Sequence, residues 1–294
     1  MNTKKINIIN ACTDLGVNID GASKGPIIVK EYIKKLDLKK INKIIDVTCD
    51  CTSKSQDKND LRKNFDRINK FDDELYQTIL KNSDDDSINI VIGGDHSIAI
   101  ASALASIKTN DRLGIIWVDT HPDFNTFKTT TSGNIHGLPL ATVTENNGYE
   151  LTKFHDGNFF RNNNTVIIGA RDIDTLEQLN LDNSKIKVYS TNDVISGNIE
   201  AIVNNAIQIA TQNTNGIHLS IDIDVLDPII APGISVGYKD GINIKHLFKI
   251  VDEFLKHKDL IKSIDIVEYN PINDKDNKTL KIVLELINKI VNML

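Results

Sequence analysis

Cysteine is scarce in this chain, three in 294 residues, and the three are Cys12, Cys49 and Cys51. An odd set in a chain of this length excludes a disulfide framework, and "VTCDCTS" lacks the further thiols that a tetrahedral zinc site would draw on, so Cys49 and Cys51 read as two thiols at a strand end. An excess of basic charge is also missing. Lys and Arg total 34 against 40 Asp and Glu, a formal net charge of -6, which gives no general attraction for phosphate backbones or anionic lipid. Neither nucleic acid nor membrane is therefore an expected partner. No apolar run reaches about 18 residues, and "MNTKKINIINACTDLG" has no signal-peptide pattern with a small-residue cleavage site. The expected location is the cytoplasm. Internal repeats and abrupt compositional breaks are absent too, so residues 1–294 are read as one domain.

What the chain does have is a regular alternation. Short β-branched runs recur as "KINIINA", "INKIIDVTC", "INIVIGGDH", "LGIIWVDTH", "NTVIIGARD", "IHLSIDIDV" and "IKSIDIVEYNP", each followed by polar turn residues. Between them stand segments of helical period, among them "SIAIASALASIKTN", "GNIEAIVNNAIQIATQN", "NIKHLFKIVDEFLKHK" and "NKTLKIVLELINKIVNML". The stretch from Thr52 to Asp86 reads as a surface helix between loops, with "NSDDDS" a solvated turn. Strand alternating with helix implies an α/β fold: three layers, a central mainly parallel sheet and helices on both faces.

The unusual polar residues fall at strand ends, where ligands gather in parallel sheets. "VIGGDHS" places His96 there, "WVDTHPDFN" places Asp119, His121 and Asp123, and "LSIDIDVLDP" places Asp222 and Asp224. Carboxylates so crowded repel one another, and keeping them ionised in a partly buried cleft costs several kcal/mol unless cations compensate. Alternate residues of an extended strand point the same way, which would aim each set in one direction. Two imidazoles and four carboxylates suit two ions that share bridging carboxylates. An oxygen and nitrogen donor set without thiolate favours Mn2+, with Co2+, Fe2+, Ni2+ or zinc tolerated.

These motifs resemble the signatures of the ureohydrolases, the arginase and agmatinase family, in order and spacing over nearly the whole chain. "GGDHS", "DTHPDFN" and "SIDIDVLDP" carry the resemblance, supported by "GASKGP", "SGNIHG", "IGARDID", "EYNP" and "NKTLKIVLELI". The resemblance implies an arginase-like fold and hydrolysis of a guanidinium group to urea and an amine. It makes His96, Asp119, Asp123 and Asp222 the ligands of one Mn2+, and His121, Asp119, Asp222 and Asp224 those of a second, with Asp119 and Asp222 bridging. Two cations sharing a water would supply hydroxide near neutral pH, and Asp123 could relay its proton. Glu268 is implied to grip the guanidinium, as a carboxylate can accept two parallel N–H bonds from that fork, and His136 to shuttle protons to the departing amine. His155, His218, His246 and His257 have no such context and read as structural or surface residues.

The run "NTFKTTTSGNIHG" is similar to the arginase loop that holds an amino acid's carboxylate. Asn125, Ser132 and Asn134 would bind that carboxylate, and Asp174, with Glu177 nearby, would attract the ammonium. L-arginine, giving L-ornithine and urea, is thus the expected guanidino substrate. The alternatives are agmatine, guanidinobutyrate or a related guanidino acid, a non-catalytic paralogue, or a dimetal phosphoesterase. One departure bears on the choice: "ISVG", residues 234–237, stands where arginases carry Thr-Gly-Thr-Pro, so Val236 replaces a hydroxyl. The resemblance further implies a homo-oligomer, trimer or hexamer.

Overall fold

The computed structural model describes residues 4–35, 39–57, 59–144 and 150–294. The strands are β1 (Lys5–Cys12), β2 (Ile41–Thr48), β3 (Ser87–Gly93), β4 (Gly114–Val118), β5 (Thr165–Ala170), β6 (Lys187–Ser190), β7 (Ile217–Asp222) and β8 (Ile261–Val267). They form one sheet in the order β2-β1-β3-β8-β7-β4-β5-β6, with every pairing parallel. Seven of the strands coincide with the β-branched runs. β6, "KVYS", is the addition, a short and partly exposed edge strand.

The helices are α1 (Gly25–Ile33), α2 (Phe65–Asn82), α3 (Ala99–Asn110), α4 (Pro139–Val143), α5 (Thr175–Ser184), α6 (Thr191–Ser196), α7 (Ile199–Ala210), α8 (Ile244–Leu255) and α9 (Lys278–Met293). Pleating sends successive strand side chains to opposite faces, and two separate cores follow from it. Ile8, Ile116 and Leu219 meet the apolar stripes of α1, α7, α8 and α9 on one face. Ile9, Ile115, Trp117 and Ile167 meet α2, α3 and α4 on the other. The stripe of α9 shows the cause: Leu280, Val283, Leu286, Ile287 and Ile290 recur at three- and four-residue spacing and are all buried. From Ala99 to Ile107, α3 is instead apolar or small all round and wholly buried, in keeping with its position between α2 and the sheet.

Local devices bring the loops together above the carboxyl ends. A Cβ on Gly94 would lie 1.7 Å from the Thr13 carbonyl oxygen, so only glycine lets the chain after β3 pass the chain after β1. Gly169, at φ 108°, sits where the β5–β6 register shifts, and the loop after β5 is thereby aimed back over β4. Among the described residues no helix is long and apolar enough to cross a membrane.

Candidate metal centre and substrate cleft

The loops after β3, β8, β7, β4 and β5, five adjacent strands, supply the polar residues singled out above. His96 opens a single 3-10 turn that Asp95 caps through the Ser97 N–H, and the turn leads into α3. Its Nδ1 lies 3.0 Å from Asp119 Oδ2, 3.0 Å from Asp123 Oδ2 and 3.1 Å from Asp222 Oδ2. Yet Nδ1 makes no aligned hydrogen bond to any of the three and is buried. Its other nitrogen, Nε2, meets Ser220 Oγ at 2.8 Å, and the ring stacks on Trp117 at 4.0 Å between centroids.

A second group adjoins the first. His121 Nδ1 lies 3.0 Å from Asp224 Oδ2 and 3.6 Å from Asp119 Oδ1, while its Nε2 faces Asp172 Oδ2 at 3.5 Å. Among the described residues two sets could hold a metal ion, His96 with Asp119 and Asp123, and His121 with Asp119 and Asp224. Asp119 belongs to both. Asp222 reaches the first set through its approach to His96.

The convergence is as expected but its cause is not strand alternation. β4 ends at Val118, before Asp119, and Asp123 sits at φ 50° in the left-handed region. Turn hydrogen bonds do the aiming: His121 N donates to Asp119 Oδ1 at 2.7 Å and Asp224 N donates to Asp222 Oδ1 at 2.7 Å. Arg171, not singled out from sequence, braces the loop after β7 by donating to the carbonyl oxygens of Asp224, Val225 and Leu226.

Charge is unbalanced here in the way a cation would correct. Burial, reinforced by Asp224 and Asp119, pushes the Asp222 carboxyl well above its ordinary range. Burial and Asp119 likewise push Asp123 up to about 6. For Asp119 burial acts upward but contacts from His121 and His96 prevail and hold it below the carboxylate range. Burial lowers His96 and His121, and their surrounding carboxylates outweigh it and raise both. Buried nitrogen and oxygen donors without thiolate, around a nitrogen with no aligned partner, fit a hard or borderline divalent ion.

Glu268, immediately after β8, has φ 66°. Its Oε1 accepts the His96 backbone N–H at 2.9 Å and lies 3.0 Å from His136 Nδ1, whereas Oε2 is buried without a hydrogen-bond partner among the described residues. The two-oxygen clasp expected of Glu268 is therefore half occupied by the protein itself, leaving Oε2 as the open acceptor. His136 is raised: burial lowers it, and Glu268 with Asp123 and Asp95 prevails.

An open cleft of roughly 200 Å3 leads to these groups, walled by His121, Asp123, Asn125, Ser132, Asn134, His136, Asp172, Asp174, Glu177 and Val236. Asn125 Nδ2 donates to Asp174 Oδ2 at 3.1 Å. Glu177 is less available than expected: its two oxygens accept the backbone N–H groups of Phe124 at 2.8 Å and Asp174 at 3.2 Å, and burial pushes its carboxyl up to about 8. It orients the wall rather than presenting a free charge. Asp172 and Trp117 were missed from sequence; the alternation of Asp172 with Asp174 in "RDID" was the available signal. His218 lies apart, buried with Asp265 and Ser263. His246 caps α8 with Asn243.

The chain is similar to known proteins over nearly its whole length. The family profile described as the arginase family matches residues 4–292. Arginase of Staphylococcus aureus (strain COL) is 32% identical over 292 residues, covering 97% of this chain and 96% of that protein. Arginase of Bacillus subtilis (strain 168) is 33% identical, with 98% of each covered. The crystal structure of Entamoeba histolytica arginase in complex with L-ornithine superposes with a TM-score of 0.90 at 28% identity over 99% of both chains. That of B. subtilis arginase gives 0.87 at 30% identity over 98% of both.

Proposed function

The chain belongs to the arginase family and is a hydrolase acting on amidino groups, and on that footing we propose that it hydrolyses L-arginine to L-ornithine and urea with two Mn2+ ions. The observation that carries this reading is the approach of three carboxylates to one imidazole nitrogen, His96 Nδ1, with Asp119 shared by the adjoining His121 set. His96, Asp119, Asp123 and Asp222 would hold one ion and His121, Asp119, Asp222 and Asp224 the other; Co2+, Fe2+ or Ni2+ are chemically admissible substitutes. When bound, the ions supply the positive charge that makes water a nucleophile near neutral pH.

The chain's own residues do the rest. Glu268 Oε2, buried and without a partner, accepts an N–H of the guanidinium and orients its planar carbon. As the oxygen of water bonds to that carbon, Asp123 takes a proton and returns it while the bond to the side-chain nitrogen breaks. His136, held through Nδ1 by Glu268, has its second ring nitrogen free to pass a proton to the departing amine. Asn125, Ser132 and Asn134 receive the substrate carboxylate, and Asp174, seated by Glu177, attracts its ammonium.

Residues 1–294 are taken as one catalytic domain of a cytoplasmic homo-oligomer, trimer or hexamer, with a small guanidino molecule as substrate; sedimentation checks the assembly. A second substrate reading rests on Val236 in the cleft wall, an aliphatic group that favours another guanidino compound. One experiment decides both. Protein loaded with manganese is offered L-arginine and agmatine separately and urea is measured. Release from L-arginine is the expected result; release from agmatine alone transfers the assignment, and a metal-loaded protein inert towards both overturns it.

A further inference from the structure

The motif "VTCDCTS" has no part in the site above, yet the fold brings its sulfurs into contact. β2 ends at Thr48, and the chain then bends so that Cys49 Sγ and Cys51 Sγ lie 3.2 Å apart, neither in a disulfide. Both residues are half-buried. Cys49 also lines an open cleft of about 620 Å3, walled by Thr48, Ser53, Arg67, Lys70 and Phe71, so a small reagent has a path to Cys49 and, through it, to the pair. Cys12 is a different case, fully enclosed and held thiol-like as burial pushes it up to about 12. The hydrogen bond between the two sulfurs lowers Cys51 and raises Cys49, so each sulfur can steady a thiolate on the other.

We propose that Cys49 and Cys51 are a reversible two-electron redox site that closes to a local disulfide by exchange with a low-molecular-weight disulfide. One sulfur of the pair, as thiolate, attacks the incoming disulfide, whose S–S bond breaks and releases one small thiolate. The other thiol of the pair gives up its proton to the small thiolate already released and attacks the protein sulfur of the mixed disulfide, expelling the second small thiolate, which takes its proton from solvent. Two protein thiols are thereby oxidised to cystine and one small disulfide is reduced to two thiols.

The site is mechanically connected to the hydrolytic one. Closing the bond brings the sulfurs from 3.2 Å to about 2.05 Å, and so shifts the chain at Cys49 to Cys51 beside Thr13, whose hydroxyl is 4.0 Å from Cys51 Sγ. Lys54, three residues further on, is buried and donates to the carbonyl oxygens of Asp14, Val17 and Ile19 at 3.2, 3.2 and 3.1 Å. Within that same segment the Gly16 carbonyl accepts the His136 backbone N–H at 3.1 Å. Oxidation would thus pull on the segment that seats His136, and its effect on turnover rests on the function proposed above. The dithiol chemistry itself does not.

The test equilibrates the full chain in glutathione redox buffers, alkylates the remaining thiols, and maps tryptic peptides by mass. The expected result is a loss of about 2 Da confined to the peptide running from Ile44 to Lys54, with Cys12 still alkylated. Cys49→Ser and Cys51→Ser should each stop at a glutathione adduct on the thiol that remains of the pair, while Cys12→Ser should behave as the parent. A peptide that stays reduced in the most oxidising buffer, or a bond that recruits Cys12, overturns the proposal. In a parallel arm, oxidised manganese-loaded protein should release urea about tenfold more slowly and recover with a phosphine reductant, because small misplacements of a catalytic group cost that much or more. Unchanged turnover in the oxidised form overturns the coupling. A reduced protein inert to guanidines would sink the hydrolase assignment and leave the mass result standing.

Discussion

Trp117 Nε1 donates to Asp119 Oδ2 at 2.9 Å, and the same indole stacks on His96. One buried side chain thus orients two of the groups proposed to meet the first metal ion. Outer partners of this kind commonly account for 10- to 100-fold in metal affinity. Trp117→Phe, which keeps an aromatic ring but removes the N–H, should weaken manganese binding by about that factor, as read by calorimetric titration. Unchanged affinity would mean that the indole restrains Asp119 only while no cation is bound.

Asp119 and His136 should separate by phenotype. Asp119 belongs to both metal-capable sets, so Asp119→Ala should lose both ions together with urea release, measured by metal analysis of the purified protein. His136 touches Glu268 but neither set, and His136→Ala should retain its metal and lose roughly 10²- to 10⁴-fold in kcat, the usual share of a general acid. An Asp222→Ala protein that kept full metal stoichiometry would refute the bridging role given to Asp222.

Much of this was readable in advance because it depends on local composition. Seven strands announced themselves as β-branched runs, six of them almost wholly buried and the seventh, β2, a largely exposed edge. β6 did not, since a four-residue edge strand with Lys187 and Ser190 has no apolar pattern to detect. The site followed the same division. Asp119, His121, Asp123, Asp222 and Asp224 stand out because charge beside an apolar strand end needs a reason. Trp117, Asp172 and Arg171 are individually ordinary, and their roles arise only when β4, β5 and β7 lie side by side. The turn that aims Asp123 was also invisible, as a left-handed aspartate carries no mark in sequence.

Glu177 offers a test of the cleft wall. Its carboxylate accepts the N–H groups of Phe124 and Asp174, so its contribution to binding passes through the position of Asp174. Glu177→Gln replaces one acceptor oxygen with a donor and should leave one of these N–H groups unpaired, at about 1–3 kcal/mol. The expected kinetic result is a KM for L-arginine raised by roughly tenfold with kcat little changed. Agmatine, which has no carboxylate to be placed, should show the smaller effect. An equal loss on both substrates would show that Glu177 supports the metal loop instead.

Asp72 tests stability away from the site. It lies on the buried face of α2 with Ile68 and Leu75, and neither carboxyl oxygen has a hydrogen-bond partner among the described residues. Burial, with the charge of Asp95 adding to it, pushes its folded-state pKa well above the ordinary value. A raised pKa means that the folded chain binds the proton more tightly than the unfolded one. Stability therefore falls as pH rises above about 4, the unfolded value, and levels off only once the folded pKa is passed. Asp72→Leu removes both the proton uptake and the unpaired oxygens, and should raise the urea midpoint at pH 7 by the equivalent of about 1–3 kcal/mol. That advantage should shrink as the pH is lowered towards 4, where the parent carboxyl is protonated in both states. A gain that is the same at pH 4 and pH 7 would assign the effect to packing of the leucine, and a loss at both would mean that the carboxyl has a partner when the chain is folded in water.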